Sequence, residues 1–203
     1  MMSMWFQRFL KGVNGLDKDA ARHILLDSGL ICRWWQRVGV ISNTEISLKL
    51  TADALHDHLE EYAAVAMDTP FISLTAGVRM RAAGPRGRGS NYIRSAHRTA
   101  LTYATDNFKS PGYIFSGWVP VLPNPVVPLE GFAEDVRDLS SYSRFRRFHR
   151  QGEITAKIKV PMHQLECMER WECGSDRRST RTDREINPNF VKPEGIAAVR
   201  DTI

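Results

Sequence analysis

Residues 151–161 read Gln151-Gly152-Glu153-Ile154-Thr155-Ala156-Lys157-Ile158-Lys159-Val160-Pro161, and no other stretch constrains the fold as strongly. Ile154, Ala156, Ile158 and Val160 alternate with Thr155, Lys157 and Lys159, the period-two pattern of a β-strand. Side chains two apart on an extended chain share a face, so Gln151 and Glu153 point the same way at the strand's entry. A rigid strand supporting an exposed acid is what a catalytic carboxylate needs. An ordinary edge strand carries the same residue types, so the pattern alone leaves both readings open.

The elements around this strand mix without regular alternation. Residues 1–16 look like a short apolar arm ending in Asn14-Gly15, and Asp17 caps a helix running to about Leu26. Leu30 to Trp35 reads as a buried strand with Arg33 inside it. Thr51 opens a second helix to about Ala66, with Leu55, Leu59, Tyr62 and Ala66 as its apolar stripe. Phe71 to Thr75 is a short strand, and residues 77–90 are a loop rich in Gly and Arg. Ser90 caps a third helix through Ala104, a further strand runs from Gly112 to Val119, and four prolines between Pro120 and Pro128 make an extended loop. Such a mixture predicts an α+β fold rather than a doubly wound parallel sheet. The expected organisation is an N-terminal arm and helix over 1–27, a main domain over 28–173, and a polar extension over 174–203, surface-wrapping or partly disordered.

The net charge of +5 and pI of about 9.3 bias the chain mildly toward acidic partners or nucleic acid. Three cysteines, Cys32, Cys167 and Cys173, argue against a disulfide framework and suit a reducing compartment. The amino terminus lacks a secretory apolar core, and no segment approaches the roughly 20 apolar residues of a membrane span. The expectation is a cytoplasmic protein, with injection into a target cell as a route that leaves no such mark.

Several chemistries find little support. No Gly-rich phosphate loop of either common kind follows a strand. His56 and His58 flank Asp57 on a helix, where a spacing of two does not share a face, so they read as a solvated surface rather than a metal site. His163, Cys167 and Cys173 would be three zinc ligands without a paired motif or a fourth. Cys32 reads as a packing residue. Two basic clusters stand out, Arg79 to Arg98 and Arg144 to Arg150, the second interleaved with Phe145 and Phe148 and abutting Gln151. Basic residues with interleaved aromatics suit a phosphate or nucleic-acid surface; a solvated loop is the plain alternative.

Arg33 in an apolar strand, Ser73 and Thr75 on a short strand before a basic loop and helix, and Gln151 with Glu153 at a late strand occur in that order. Together, over roughly residues 28–162, they resemble the arginine–serine–glutamate class of mono-ADP-ribosyltransferases. That class opens with a strand-borne Arg, continues with an aromatic-x-Ser-Thr-Ser strand and ends on a Gln-x-Glu or Glu-x-Glu turn. Here the middle motif is Phe71-Ile72-Ser73-Leu74-Thr75, so Leu74 replaces the usual Thr and Thr75 the last Ser. Arg33-Trp34-Trp35-Gln36-Arg37 is similar to the Arg-Trp-Asp-x-Arg opening of nucleobase-modifying members, with Trp35 at their Asp.

The resemblance implies two packed, mainly antiparallel small sheets flanked by helices, with NAD as co-substrate in the cleft between them. It implies that Glu153 stabilises the oxocarbenium-like ribosyl cation left when nicotinamide departs, a charge comparable to that of a glycosidase transition state. Gln151 would grip the acceptor. Arg33 would hold the pyrophosphate bidentately, and Ser73 with Thr75 would hold the carboxylate or the nicotinamide ribose. Trp34, Tyr113 or Phe148 would stack on nicotinamide. Phe148, Arg147 and Arg150 would lie at the acceptor side and favour an acidic protein or nucleic acid. Gln-x-Glu members modify side chains other than arginine, or nucleobases. Plain NAD hydrolysis and a non-enzymatic basic nucleic-acid-binding module are the rivals.

Overall fold

The structure is a computed structural model that describes residues 5–76, 78–81, 91–94, 96–122, 133–135, 153–174, 178–193 and 199–200. In chain order, β1 (Trp5–Asn14) leads to α1 (Lys18–His23), whose Asp17 cap accepts from the Ala20 amide and which continues as a π-turn over Ile24–Ser28. Next come β2 (Leu30–Ile31), α2 (Arg33–Val38), α3 (Asn43–Lys49), α4 (Ala52–Glu60), α5 (Tyr62–Val65) and β3 (Phe71–Thr75). The hairpin β4 (Val78–Arg81) and β5 (Asn91–Arg94) precedes α6 (Ala96–Ala104) and β6 (Gly112–Leu122). The chain then forms β7 (Ala133–Asp135), β8 (Glu153–Lys157), β9 (Lys159–Val160), β10 (Leu165–Cys173), β11 (Ser179–Ile186) and β12 (Val199–Arg200).

Two antiparallel groups of strands make the frame. β11, β10, β6 and β1 pair in succession, and β7, β8 and β3 pair in succession. The groups meet at two narrow seams: a two-residue parallel pairing of β6 with β7, and a single antiparallel bridge from Leu10 of β1 to Thr75 of β3. Phe9, Leu25, Leu55, Phe115, Ile154 and Leu165 are fully buried in the main core between the sheets and helices α1 and α4. Among the described residues no helix is long and apolar enough to cross a membrane.

Five expectations change. Residues 91–94, expected in a helix capped by Ser90, form β5, and that helix begins at Ala96. Residues 5–14, expected as part of an arm, form a ten-residue strand that pairs with β6 along its whole length. Arg33 does not lie in a strand; β2 ends at Ile31, and Arg33 is the exposed first residue of α2. Residues 179–186 of the polar tail form β11 beside β10, and the buried Asn187 amide then donates to the carbonyls of Leu25, Met162 and Leu165. The strand from Glu153 breaks at Ile158, which takes φ 62 in the left-handed region. Left-handed backbone costs a β-branched residue about 1–3 kcal/mol. Complete burial of the Ile158 side chain and hydrogen bonds from its N–H to Pro70 and to its carbonyl from Cys32 offset that cost. Both faces of β8 are buried, Thr155 and Lys157 included.

Helix α6 rests directly on β1 and β6. A Cβ at Gly12 would fall on the Ala100 carbonyl oxygen, and one at Gly112 on that of Ala104. With Ala100 and Ala104 on its inner face, the helix approaches the strands closely enough to hang Thr99 and Tyr103 over the end of β1. Gly112→Ala is therefore expected to cost about 1–3 kcal/mol, the usual penalty of overpacking against groups that cannot yield. A denaturation midpoint equal to wild type would show that α6 is not seated this tightly.

Candidate active site

Where β1 and β3 touch at the Leu10–Thr75 bridge, a cavity of about 550 Å³ opens between the strands and helices α4, α5 and α6. That volume falls within the roughly 300–1,000 Å³ of small-molecule sites. Strand register explains its polar wall. Thr75 pairs directly with Glu153, and Ser73 lies two residues before Thr75. Residues two apart on a strand, and residues opposite each other across a pair, share a face, so Ser73, Thr75 and Glu153 all line the cavity.

His58 of α4 joins them. The imidazole is 2 % exposed. Its Nδ1 lies 2.8 Å from Thr69 Oγ1 and its Nε2 lies 2.9 Å from Ser73 Oγ, with Glu153 Oε1 3.9 Å beyond Nε2. Tyr62 of α5 meets the ring edge-on at 5.4 Å between centroids, and Phe71 meets it at 5.7 Å. Burial, then the Lys11 charge, lowers the His58 pKa to about 3, so the ring is neutral across the physiological range.

Lys11 of β1 supplies the cation. Burial lowers its pKa to about 8; the Glu153 carboxylate pulls it upward and the Arg33 guanidinium pushes it down. Glu153 is the counterpart. Burial raises its pKa, while a hydrogen bond from Ser73 and the Lys11 charge act in the opposite direction. Thr75 Oγ1 and Glu153 Oε1 are buried with no hydrogen-bond partner among the described residues. A buried polar atom without a partner is costly, and in a cavity wall it marks a place where a ligand can complete the bonding.

The other residues singled out in the sequence fall elsewhere. Arg33 is outside the cavity wall, although close enough for its charge to act on Lys11. Trp34 packs in the main core, 5 % exposed, with the Lys49 ammonium 5.7 Å from its ring centroid. Tyr113 is buried on β6, with the Arg170 guanidinium 6.0 Å from its ring centroid, and does not line the cavity. Gln151, Phe148, Arg147 and Arg150 lie outside the described residues. Cys32 is buried, and burial raises its thiol pKa, as suits a packing residue.

Lys11 and His58 are the residues that sequence reasoning missed. The pairing with His56 sets His58 on a solvated face, yet it follows Leu55 by three residues and precedes Tyr62 by four. That spacing sets it on the apolar stripe of the helix, where a buried His needs partners. Lys11 sits between Leu10 and Gly12 in the apolar run Phe9 to Val13, a position where a cation stands out.

No protein-family model matches the chain, and no curated protein matches its sequence. Solved structures do match. EcPltA superposes with a TM-score of 0.50 at 10 % identity, over 98 % of this chain and 91 % of that one. The catalytic domain of the mosquitocidal toxin from Bacillus sphaericus, in a mutant form, gives a TM-score of 0.44 at 16 % identity, over 96 % of this chain and 64 % of that one. The likeness to EcPltA is one of fold, a mixed α+β arrangement of mainly antiparallel sheets flanked by helices.

Proposed function

We propose that the chain is an NAD-dependent mono-ADP-ribosyltransferase acting on a macromolecule other than through arginine, with Glu153 as the catalytic carboxylate. The observation that carries this reading is the convergence of Ser73, Thr75 and Glu153 on one cavity beside a half-buried Lys11. The residues fit the dinucleotide. A ribose diol can donate to the partnerless Glu153 oxygen and accept from the Thr75 hydroxyl. Lys11 takes the phosphate-binding role that the sequence pattern suggested for Arg33, since among the described residues it is the cation in the cavity wall. The half-exposed Tyr62 and the exposed Tyr103 stand at the cavity and offer planar faces for stacking on nicotinamide or adenine. Bound NAD would supply the glycosidic bond whose cleavage releases nicotinamide and leaves a ribosyl cation. Glu153 then contributes a fixed negative charge where positive charge develops, and the low-dielectric wall strengthens it. β1 belongs to this catalytic unit because it carries Lys11.

Gln151 is our candidate for holding the acceptor, with Phe148, Arg147 and Arg150 drawing in an acidic protein or a nucleic acid. NAD labelled in its adenine, offered separately with protein extract, DNA and RNA, is expected to leave label on one of the three. Label recovered only as free ADP-ribose would assign hydrolysis instead. No binding and no nicotinamide release under any of these conditions would overturn the enzyme reading.

A further inference from the structure

Behind Glu153 the geometry favours one proton arrangement when the carboxylate is ionised, because His58 Nε2 lies 3.9 Å from Oε1 and an N–H there faces the negative charge that a bare lone pair would oppose. Thr69, buried between α5 and β3, accepts from the Phe71 amide at 3.3 Å. Its oxygen keeps a second lone pair, so it can accept from or donate to His58 Nδ1, 2.8 Å away, and with the ring proton on Nε2 it donates. Nδ1 is then the bare acceptor of a neutral imidazole. Nε2 faces Ser73 Oγ at 2.9 Å, so Ser73 accepts from His58 and has its own proton to donate to Glu153. Moving the ring proton to Nδ1 reverses this polarity. Nε2 would claim the Ser73 proton, and the carboxylate would lose its donor.

We propose that Thr69 is a positioning residue that locks His58 as the Nε2–H tautomer and so, through Ser73, keeps a hydrogen-bond donor directed at Glu153. The inference rests on Glu153 being the catalytic carboxylate only for its effect on rate. The ionisable groups facing the imidazole are Lys11 from β1, Glu153 from β8 and Tyr62 from α5. Burial and the Lys11 charge keep the ring neutral, so its tautomer, rather than its charge, is the variable that Thr69 controls. No proton is transferred; the network acts by orientation. A histidine fixed in this way is a donor to Ser73 and has no free ring nitrogen with which to act as a base.

The test compares wild type, Thr69→Ser and Thr69→Val by three measurements. Imidazole ¹⁵N shifts report the His58 tautomer, ¹³C carboxyl shifts report the titration of Glu153, and nicotinamide release reports kcat and KM for NAD. Wild type and Thr69→Ser are expected to show a protonated Nε2 and a bare Nδ1. Thr69→Val is expected to lose that single pattern, to raise the Glu153 titration, and to lower kcat about tenfold with little change in KM, the size of one hydrogen bond to a charged group. A protonated Nδ1 in wild type overturns the proposal, and this measurement needs no variant to fold. An unchanged tautomer and Glu153 titration in Thr69→Val overturn it as well. Both NMR readouts are made on the free protein, so they stand or fall separately from the NAD reading, which fails on its own if wild type releases no nicotinamide.

Discussion

Glu153→Gln is expected to slow nicotinamide release from NAD by about 100-fold or more while NAD affinity changes by only a few fold, because the side chain keeps its shape and loses its charge. The magnitude follows from what preorganised charge contributes where a transition state develops the opposite sign, typically about 10²–10³ in rate. Glu153 meets the structural requirements. Strand β8 is paired on both sides and buried on both faces, and Ser73 stands on the opposing strand two residues before Thr75, the residue paired with Glu153. Stability should move the other way. Burial raises the Glu153 pKa above its unfolded value, so the ionised carboxylate opposes folding at neutral pH, and that opposition grows as pH rises through the folded pKa. The variant's thermal midpoint at pH 7 is therefore expected to equal or exceed that of wild type. A residue kept against its own stability cost is characteristic of a functional site. Two measurements decide the matter: initial rates with saturating NAD, and the thermal midpoint at pH 7. Full-rate cleavage by the variant would remove Glu153 from the reaction.

The part of the site built on strands was legible because strand geometry is local. Phe71 to Thr75 and the strand from Glu153 were each readable from local sequence, whereas the register that brings Thr75 opposite Glu153 joins segments far apart in the chain. The α+β class followed from the mixture of elements in the same way. What escaped was set by tertiary contact. Residues 5–14 carry Phe9, Leu10 and Val13 among polar residues with no turn signal between them, and only the pairing with β6 makes the segment a long strand. Arg33 follows a two-residue strand in an apolar run, where period-two and helical patterns are indistinguishable until Leu30 and Ile31 pair with Val160 and Lys159. The strand-borne cation thus came from β1, some twenty residues earlier than the motif order suggested. His58 looked solvated because its partners, Thr69 and Ser73, lie 11 and 15 residues away on other elements.

Lys11 in the cavity wall makes a pH signature expected of NAD binding. Its pKa of about 8 in the free protein means that the ammonium is present at pH 7 and largely lost by pH 9.5. A pyrophosphate binds the charged form, so above pH 8 each binding event must first protonate the lysine, and affinity falls as pH rises. If the neutral form does not hold the phosphate, affinity drops about thirtyfold between pH 7 and pH 9.5, and calorimetry in buffers of different ionisation enthalpy registers nearly one proton taken up per NAD near the upper limit. His58 does not supply this slope, since its pKa is about 3 and it stays neutral throughout. Lys11→Arg keeps a cation at every pH and is expected to flatten the profile. Lys11→Ala is expected to weaken binding about 10- to 100-fold at pH 7, the range of a charge-assisted hydrogen bond, and to leave the remainder independent of pH. Equal affinity of wild type and Lys11→Ala at pH 7, with a flat wild-type profile, would move the phosphate away from β1. The dependence on a lysine has a physical origin in the same cavity. A buried ammonium beside Glu153 is partly neutralised before any ligand arrives, and a phosphate must compete with that carboxylate for it. Glu153→Gln removes the competitor. It should therefore lower the Lys11 pKa further and shift the alkaline loss of NAD affinity to lower pH, a displacement that reads the coupling between the two residues directly.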